Sequence, residues 1–468
     1  MTNKLKLNGL LTLTLLSGLS GAVAANAKES GTLAPEATAA EAEMSFRDIP
    51  PLDAAFIDTS PADRNDGITV GALKLQGGKG DMIVKLAEEI AAGQHDAIDS
   101  LLIAHKGELL FESYYSRGRV DLPHPQASAT KTYTALALGC AIQLGHLTMA
   151  DLERPVVSFF DDLDPSKFAS GAELITLKHA LTMTTGIRIS EEQWEVLREN
   201  PEQIQGTKEV QAILQNSAPI TPETQSFLYG TGPGLIMQVI EAAVPGSAKD
   251  FVETELLNKL GISNYNWRTA PSGRPEAGWR TSMTSRDMMK WGMLIAANGK
   301  WNDEQLLPQA FIKQATSQII DTGDDSVFGG GPDVSGQGYG YFMWNADLKS
   351  GDKSYYSTSA QGGGGQFIIL VDELDLLVVA TASERHPSTL QLTAERILPA
   401  FSQYVSHIAY PDTTREKLVD TSIISIKLAN ELKGENIKNH LEVLASDKYE
   451  GRETGQKGNR MAASYIAN

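Results

Sequence analysis

Residues 365–383 read GQFIILVDELDLLVVATAS, two apolar runs rich in Val and Ile that break at Asp372-Glu373. Runs of this length and composition favour strands, and the polar break favours a turn, so the stretch predicts an antiparallel hairpin. A second hairpin is predicted over 100–115, where alternation surrounds a Lys106-Gly107 turn. GYGYFMW, 338–344, also reads as strand. Between the first hairpin and these strands the periodicity is helical, over 128–145, 174–183, 208–215, 233–243 and 285–298. Further helices are predicted over 81–92 and 389–407. Helices enclosed by antiparallel strands do not make alternating βα units. They predict an α+β fold, an antiparallel sheet flanked by helices with a helical insert.

The ends differ from this middle. Lys4 and Lys6 precede an apolar run from Leu10 to Leu19, and Ala25-Asn26-Ala27 follows. This is the layout of a secretory signal peptide over 1–27, with a run too short to span a bilayer. It predicts an exported product, periplasmic or secreted, with no membrane span after signal removal. Residues 28–60 begin rich in Ala, Glu, Thr and Pro and are expected to form a flexible leader. The main domain is expected over 61–410 and a linker over 411–432. A new pattern fills 433–468 and stops inside a helical periodicity at Asn468, as a truncated domain would.

Composition limits the partners. The 468 residues carry a formal net charge of −18 with no Lys/Arg cluster, which argues against a nucleic-acid partner. The single cysteine, Cys140, can form no internal disulfide, and its place on the run Leu136, Cys140, Leu144 predicts a small buried hydrophobe. The eight histidines are scattered, H-E-x-x-H and G-x-S-x-G are absent, and the Gly runs lack a P-loop lysine. No metal and no cofactor are implied. A small-molecule or short peptide-like substrate is expected.

QASATKTYTALALGC, 126–140, places Ser128 three residues before Lys131 at the start of a helix. One reading makes Ser128 a helix cap and Lys131 a solvated charge. The other makes Ser128 a nucleophile. A helix start offers positive potential and free N–H groups. A lysine one turn on shares the same face, and burial there would lower its pKa until a neutral amine is accessible. Spacing alone does not decide, because Ser350 and Lys353 share it inside a turn-like stretch.

A longer ordered set of segments bears on the choice. ASATKTYTALALGCAIQLGHLTMADLERPVVSFFDDL (127–163) is followed by ITLKHALTMTTGI (175–187), FLYGTGPGLIMQVIEAA (227–243), TSMTSRDMMKWGMLIAANGKWNDEQLLP (281–308) and GGGGQFIILVDELDLLVVATAS (362–383). Together these resemble the class C β-lactamase-related serine hydrolases, a superfamily that includes penicillin-binding carboxypeptidases, esterases and 6-aminohexanoate-dimer hydrolases. The resemblance covers roughly residues 70–408. It implies a β-lactamase/penicillin-binding-protein-like fold and an ester or amide hydrolase that works through an acyl-enzyme on Ser128. It assigns proton transfer to Lys131 and Tyr229. The family's Tyr-x-Asn motif is here Tyr229-Gly230-Thr231, so Thr231 stands where an amide is expected. The resemblance further implies an oxyanion hole built from the N–H of Ser128 and one near Gly363, with Gly362 beside it.

The third family motif, Lys-Thr-Gly or His-x-Gly, is replaced by a cation-free stretch, SAQGGGGQ at 359–366, nearer the 6-aminohexanoate-dimer hydrolase branch. Lacking that cation, the chain is expected to cleave uncharged esters or amides far better than cephalosporins, unless an arginine arrives from another loop. The resemblance leaves open a β-lactamase or D-alanyl-D-alanine carboxypeptidase, and an acylating penicillin-binding sensor or pseudoenzyme without turnover. The tail, LEVLASDKYEGRETGQKGNRMAASYIAN, resembles the opening of M28-type zinc aminopeptidases before any zinc ligand appears. A fragment of a serine hydrolase–aminopeptidase fusion is therefore a further reading.

Overall fold

The computed structural model describes residues 33–74, 79–323, 328–383 and 387–402. The expected signal peptide (1–27), linker (411–432) and tail (433–468) lie outside the described residues, as does the far end of the closing helix.

The apolar runs of the sequence become the middle of one large antiparallel sheet. It begins with β1 (Phe56–Asp58), β2 (Ile98–His105) and β3 (Glu108–Tyr114). Three short strands, β4 (His124–Pro125), β5 (Tyr265–Trp267) and β6 (Thr281–Met283), form a second sheet, and β7 (Lys300–Trp301) with β8 (Glu304–Gln305) forms a small hairpin. The large sheet resumes with β9 (Ile320–Asp321), β10 (Val334–Tyr339), β11 (Trp344–Ser350), β12 (Lys353–Gly362), β13 (Gln366–Val371) and β14 (Leu376–Ala382). Its nine strands run in the order β1-β3-β2-β14-β13-β12-β11-β10-β9. The first and last hairpins thus pair with each other through β2 and β14, from Leu376 opposite His105 to Thr381 opposite Ser100.

Both faces of this sheet are covered, and the strand composition follows from that. Phe367, Ile369 and Val371 enter one core, whereas Ile368 and Leu370, the residues between them, enter the other. Such a strand has no solvent face, so it reads as a continuous apolar run instead of an alternation. One core holds α2 (Lys79–Ala91) and the closing helical segment. The other holds α3 (Thr130–Gln143) with parts of the helical insert. All of α3 from Thr130 to Ile142 is buried, which explains why ALALGCAI shows no polar stripe.

The insert comprises α4 (Leu177–Leu181), α5 (Glu191–Glu199), α6 (Lys208–Asn216), α7 (Gly232–Ala243) and α8 (Ala248–Val252). After it come α9 (Ser285–Ala296), α10 (Gln309–Ala315), α11 (Thr389–Leu392) and α12 (Leu398–Phe401), the last two joined by a π turn. Among the described residues no helix is long and apolar enough to cross a membrane.

Three expectations are corrected. Residues 33–60 of the expected flexible leader belong to the folded unit. Strand β1 pairs with β3, and the short helix α1 (Ala39–Ala42) is closed by a Thr38/Glu41 capping box. Glu41 makes a 2.7 Å ion pair with Arg119, both buried. Arg119 also donates to the carbonyls of Ser116, Gly118 and Pro50, so a fixed donor set holds the segment down. Second, 338–344 is not one strand. Tyr339 and Trp344 face each other across a bend at 340–343, where Phe342 has φ 54°. Third, the helix expected over 174–183 is only Leu177–Leu181. Thr176 caps its start, and Met183, at φ 59°, stands two residues past its end.

A buried charge cluster fixes the start of α9. Arg286 bonds Asp66 at 2.6 Å and Glu112 at 2.8 Å, and the Tyr114 hydroxyl donates to Glu112 at 2.6 Å. Burial pushes the Glu112 carboxyl upward while Arg286 opposes the rise. Arg286→Met removes one partner and strands Glu112 in the core. The expected loss is about 3–5 kcal/mol, read as a lower urea midpoint. A midpoint within experimental error of wild type would show that water reaches and solvates Glu112.

Candidate active site

Ser128 lies in a 3₁₀ turn, Ala127–Ala129, that feeds directly into α3. It is not the cap residue of the α-helix, a position taken by Ala129. The turn is tied from three sides. Gln126 N–H donates to Thr281 O on β6, Tyr133 Oη of α3 donates to Gln126 Oε1, and Thr130 Oγ1 donates to Ala127 O. Ala127 sits at φ 46°, a left-handed conformation that a residue with a Cβ adopts only when its surroundings impose it. The residue before Ser128 is therefore held in a strained conformation by Thr130 and Tyr133 of the following helix and by Thr281, far away in the chain.

Lys131 follows one turn later, 7% exposed, and its Nζ lies 3.0 Å from Ser128 Oγ. The same Nζ donates to Gly278 O at 2.8 Å. Burial lowers its pKa to about 8, against a smaller opposing pull from Glu276. At pH 7 a pKa near 8 leaves roughly a tenth of the amine neutral, about 300 times the share at its ordinary value. The helix-cap reading with a solvated lysine does not describe this pair. The competing Ser350 and Lys353 face each other at the turn between β11 and β12, where Lys353 pairs with Glu373 at the surface.

Tyr229 completes the group. Its ring lies under Lys131, with Nζ 4.7 Å from the ring centroid, and stacks on Trp344 at 5.6 Å and 27°. Tyr339 meets the same ring edge-on at 6.2 Å. The residue is 38% exposed, and Ser128, Tyr339 and Trp344 act on its hydroxyl. Burial raises the phenol above its ordinary value, and bonding to Ser128 offsets part of the rise. At neutral pH Tyr229 thus carries its proton beside an amine that can lose its own. The loop is fixed by Leu228 N–H donating to Met183 O, and by Gly232, where a Cβ would come within 2.2 Å of Ala180 O.

The glycine run lies opposite. Gly362 ends β12, and a Cβ there would meet Gln126 O at 2.2 Å, so glycine is what lets this strand end approach the Ser128 turn. Gly363 is exposed, with open space where a Cβ would be. Thr231 sits at the N-cap of α7 without a side-chain capping bond. Among the described residues the hydrogen bonds of Lys131 go to Ser128 and Gly278, not to Thr231. The structure thus brings Ser128, Lys131 and Tyr229 together and sets Gly362 against the turn, whereas Thr231 makes no hydrogen bond to Lys131 among the described residues.

The sequence of residues 85–400 matches the profile of the family described as Beta-lactamase. The chain belongs to the β-lactamase family. Two solved structures share the fold of this β-lactamase-family chain. One is named "Putative 6-aminohexanoate-dimer hydrolase from Bacillus anthracis", with 18% identity, a TM-score of 0.50, and coverage of 69% of this chain and 81% of that one. The other is an octameric penicillin-binding protein homologue from Pyrococcus abyssi, with 19% identity, a TM-score of 0.50, and coverage of 67% and 76%. At such identities the likeness concerns fold alone. No curated protein matches the chain.

Several contributors in this β-lactamase-family site escaped sequence reasoning. Gly278, whose carbonyl holds Lys131, is 147 residues away, and Trp344 and Tyr339 were read only as strand residues. Cys140 is buried as expected, its thiol pushed up to about 12 by burial. Among the described residues no cluster of three or more His, Cys, Asp or Glu could hold a metal ion. The expected lack of cations near 359–366 is true of that segment but not of the space beside it. A cleft of about 980 Å³ that reaches Ala127 and Gly363 is lined by Arg47, Arg117, Arg268 and Arg280. The arginines arrive from segments far from the motif, so its composition could not report them.

Proposed function

We propose that this chain is a serine hydrolase that cleaves an ester or amide through an acyl-enzyme on Ser128. The observation that carries the reading is the 3.0 Å contact between Ser128 Oγ and the buried, pKa-lowered Lys131 amine. Neutral Lys131 takes the Ser128 proton as Oγ attacks the carbonyl carbon. The developing oxyanion is received by backbone N–H groups of Ser128 and Gly363. Tyr229, still protonated, gives its proton to the leaving group. The acyl-enzyme then holds an ammonium beside a phenolate, each stabilising the other. In the second half the phenolate takes a proton from water, the resulting hydroxide attacks the acyl carbon, and Lys131 returns its proton to Ser128 Oγ. Both groups end as they began.

Steady-state hydrolysis of a panel tests this: p-nitrophenyl esters, a cephalosporin, a D-Ala-D-Ala peptide and a linear amide oligomer. Sustained turnover of at least one member is expected. A single acylation burst with no turnover across the panel would instead establish an acylating sensor. Export through a signal peptide over 1–27, and an M28-like segment over 433–468 that adds no metal ligands, belong to the same proposal. They rest on sequence pattern alone.

A further inference from the structure

The loop that carries Gly278 is docked on α3 at two neighbouring carbonyls. Thr134 Oγ1 donates to Ala277 O at 2.9 Å, and Lys131 Nζ donates to Gly278 O at 2.8 Å. The residue before them, Glu276, has both of its backbone groups fixed. Its N–H donates to Arg268 O at 2.8 Å, and its carbonyl accepts from Trp267 Nε1 at 2.8 Å. Its side chain turns back along the loop, where Oε1 accepts from the Gly278 N–H at 3.3 Å. The carboxylate therefore stands across Gly278 from the Lys131 amine. A Cβ on Gly278 would lie 3.7 Å from Lys131 Nζ and 3.8 Å from Glu276 Oε1. Both groups border one point, and glycine puts no side chain between them.

The other groups around Lys131 leave this charge unopposed. No other charged residue lies on α3, and none lies in 126–130 or 359–366. Tyr229 meets Nζ through its ring, and burial keeps its phenol protonated at neutral pH. In the loop itself Arg274 pairs with Glu241, Arg280 stacks on Trp279, and Arg268 lines the cleft. Burial lowers the Lys131 pKa, and Glu276 is the charge that pulls against it. On its other side, burial pushes the Glu209 carboxyl of α6 up, and the Glu276 charge adds to that rise.

We propose that Glu276 is a positioning residue for this hydrolase: its carboxylate fixes the Gly278 carbonyl on the Lys131 amine and stabilises the ammonium formed when that amine takes the Ser128 proton. The inference rests on the hydrolase reading above and adds a group to it. No bond to Glu276 forms or breaks, and the proton stays on Nζ. Burial favours the neutral amine, whereas a nearby negative charge favours the ammonium. Glu276 thus keeps a buried lysine basic enough to accept a proton.

The test is the pH profile of kcat/KM for a p-nitrophenyl ester in wild type, Glu276→Gln and Glu276→Asp. Glutamine keeps an acceptor for the Gly278 N–H but loses the charge. Its acid limb is expected to move to lower pH by about half to one unit, less than the shift from a charge in direct contact. Its plateau should fall about two- to fivefold, because a weaker base accepts the Ser128 proton less readily. Glu276→Asp keeps the charge and should leave the limb nearer to wild type. A purely structural role predicts the opposite sign, since a loosened loop admits water, relieves burial and moves the limb to higher pH. An unmoved limb, or an upward shift, overturns the inference. NMR of protein isotope-labelled at the lysine ε carbon gives a readout without catalysis, with the Lys131 signal assigned by its loss in Lys131→Ala. A downward shift of that titration in Glu276→Gln, in a protein that hydrolyses no ester, would keep the pairing of Glu276 with Lys131 and remove the hydrolase. Sustained hydrolysis with an unmoved Lys131 titration would remove the role of Glu276 and keep the hydrolase.

Discussion

Replacing Ser128 with alanine is expected to abolish ester hydrolysis and all labelling by a fluorophosphonate probe, and to leave the melting temperature within a few degrees of wild type. The size of the effect follows from the chemistry. Without Oγ no acyl-enzyme forms, and losing the nucleophile of a coupled serine hydrolase site costs roughly 10⁴-fold or more in kcat. The small effect on folding follows from where the strain lies. The turn is held by Gln126, Thr130 and Tyr133, whose bonds to Thr281, Ala127 and Gln126 do not involve the Ser128 side chain. Labelling confined to Ser128 also separates it from Ser350, which has the same spacing to a lysine but sits at a hairpin turn. If Ser128→Ala still reacts with the probe, the nucleophile lies elsewhere and the proposed mechanism is wrong.

Lys131→Ala is expected to lower the acylation rate about 10²–10⁴-fold, the usual cost of losing a positioned general base. The pH profile identifies the role. Burial holds the Lys131 pKa near 8, below its ordinary value, so the competent neutral amine gains population as pH rises. Wild-type kcat/KM should therefore climb through about pH 8 and fall away below it as the ammonium forms. Lys131→Arg should not rescue activity, because a guanidinium stays charged across this range. An acid limb that stays in place after Lys131→Ala would assign the titration to another group. A near-normal Lys131→Ala rate would reduce its 3.0 Å contact with Ser128 to packing.

Much of the fold was legible because it is written locally. The hairpins at 98–114 and 366–382 announce themselves through apolar runs and turn residues, and each needs only its neighbours to form. The helix after Ser128 shows as an alanine- and leucine-rich run for the same reason. Ser128 and Lys131 share a helix face by backbone geometry alone, so their pairing needs three residues of spacing and no tertiary information. Tyr229 could be placed only through the family resemblance, since about a hundred residues separate it from Ser128.

What the sequence could not carry depends on which distant segments meet. The 33–60 segment looked like a leader because its polar composition gives no local signal for the Glu41–Arg119 pair that fastens it. Whether Lys131 is solvated or buried is decided by distant segments such as the Tyr229 and Gly278 loops that meet it, and burial is what moves its pKa. The four arginines that line the cleft at Ala127 and Gly363 escaped the motif for the same reason. A motif reports the residues within it, whereas an electrostatic field sums over every charge that the fold brings near. The sequence by itself determined the main hairpins, most of the helices and the spacing of Ser128 and Lys131, which are set by short-range geometry. Tertiary structure decided the burial of Lys131 and which arginines gather beside Ala127 and Gly363, because solvation and Coulomb energy depend on distance through space and not along the chain.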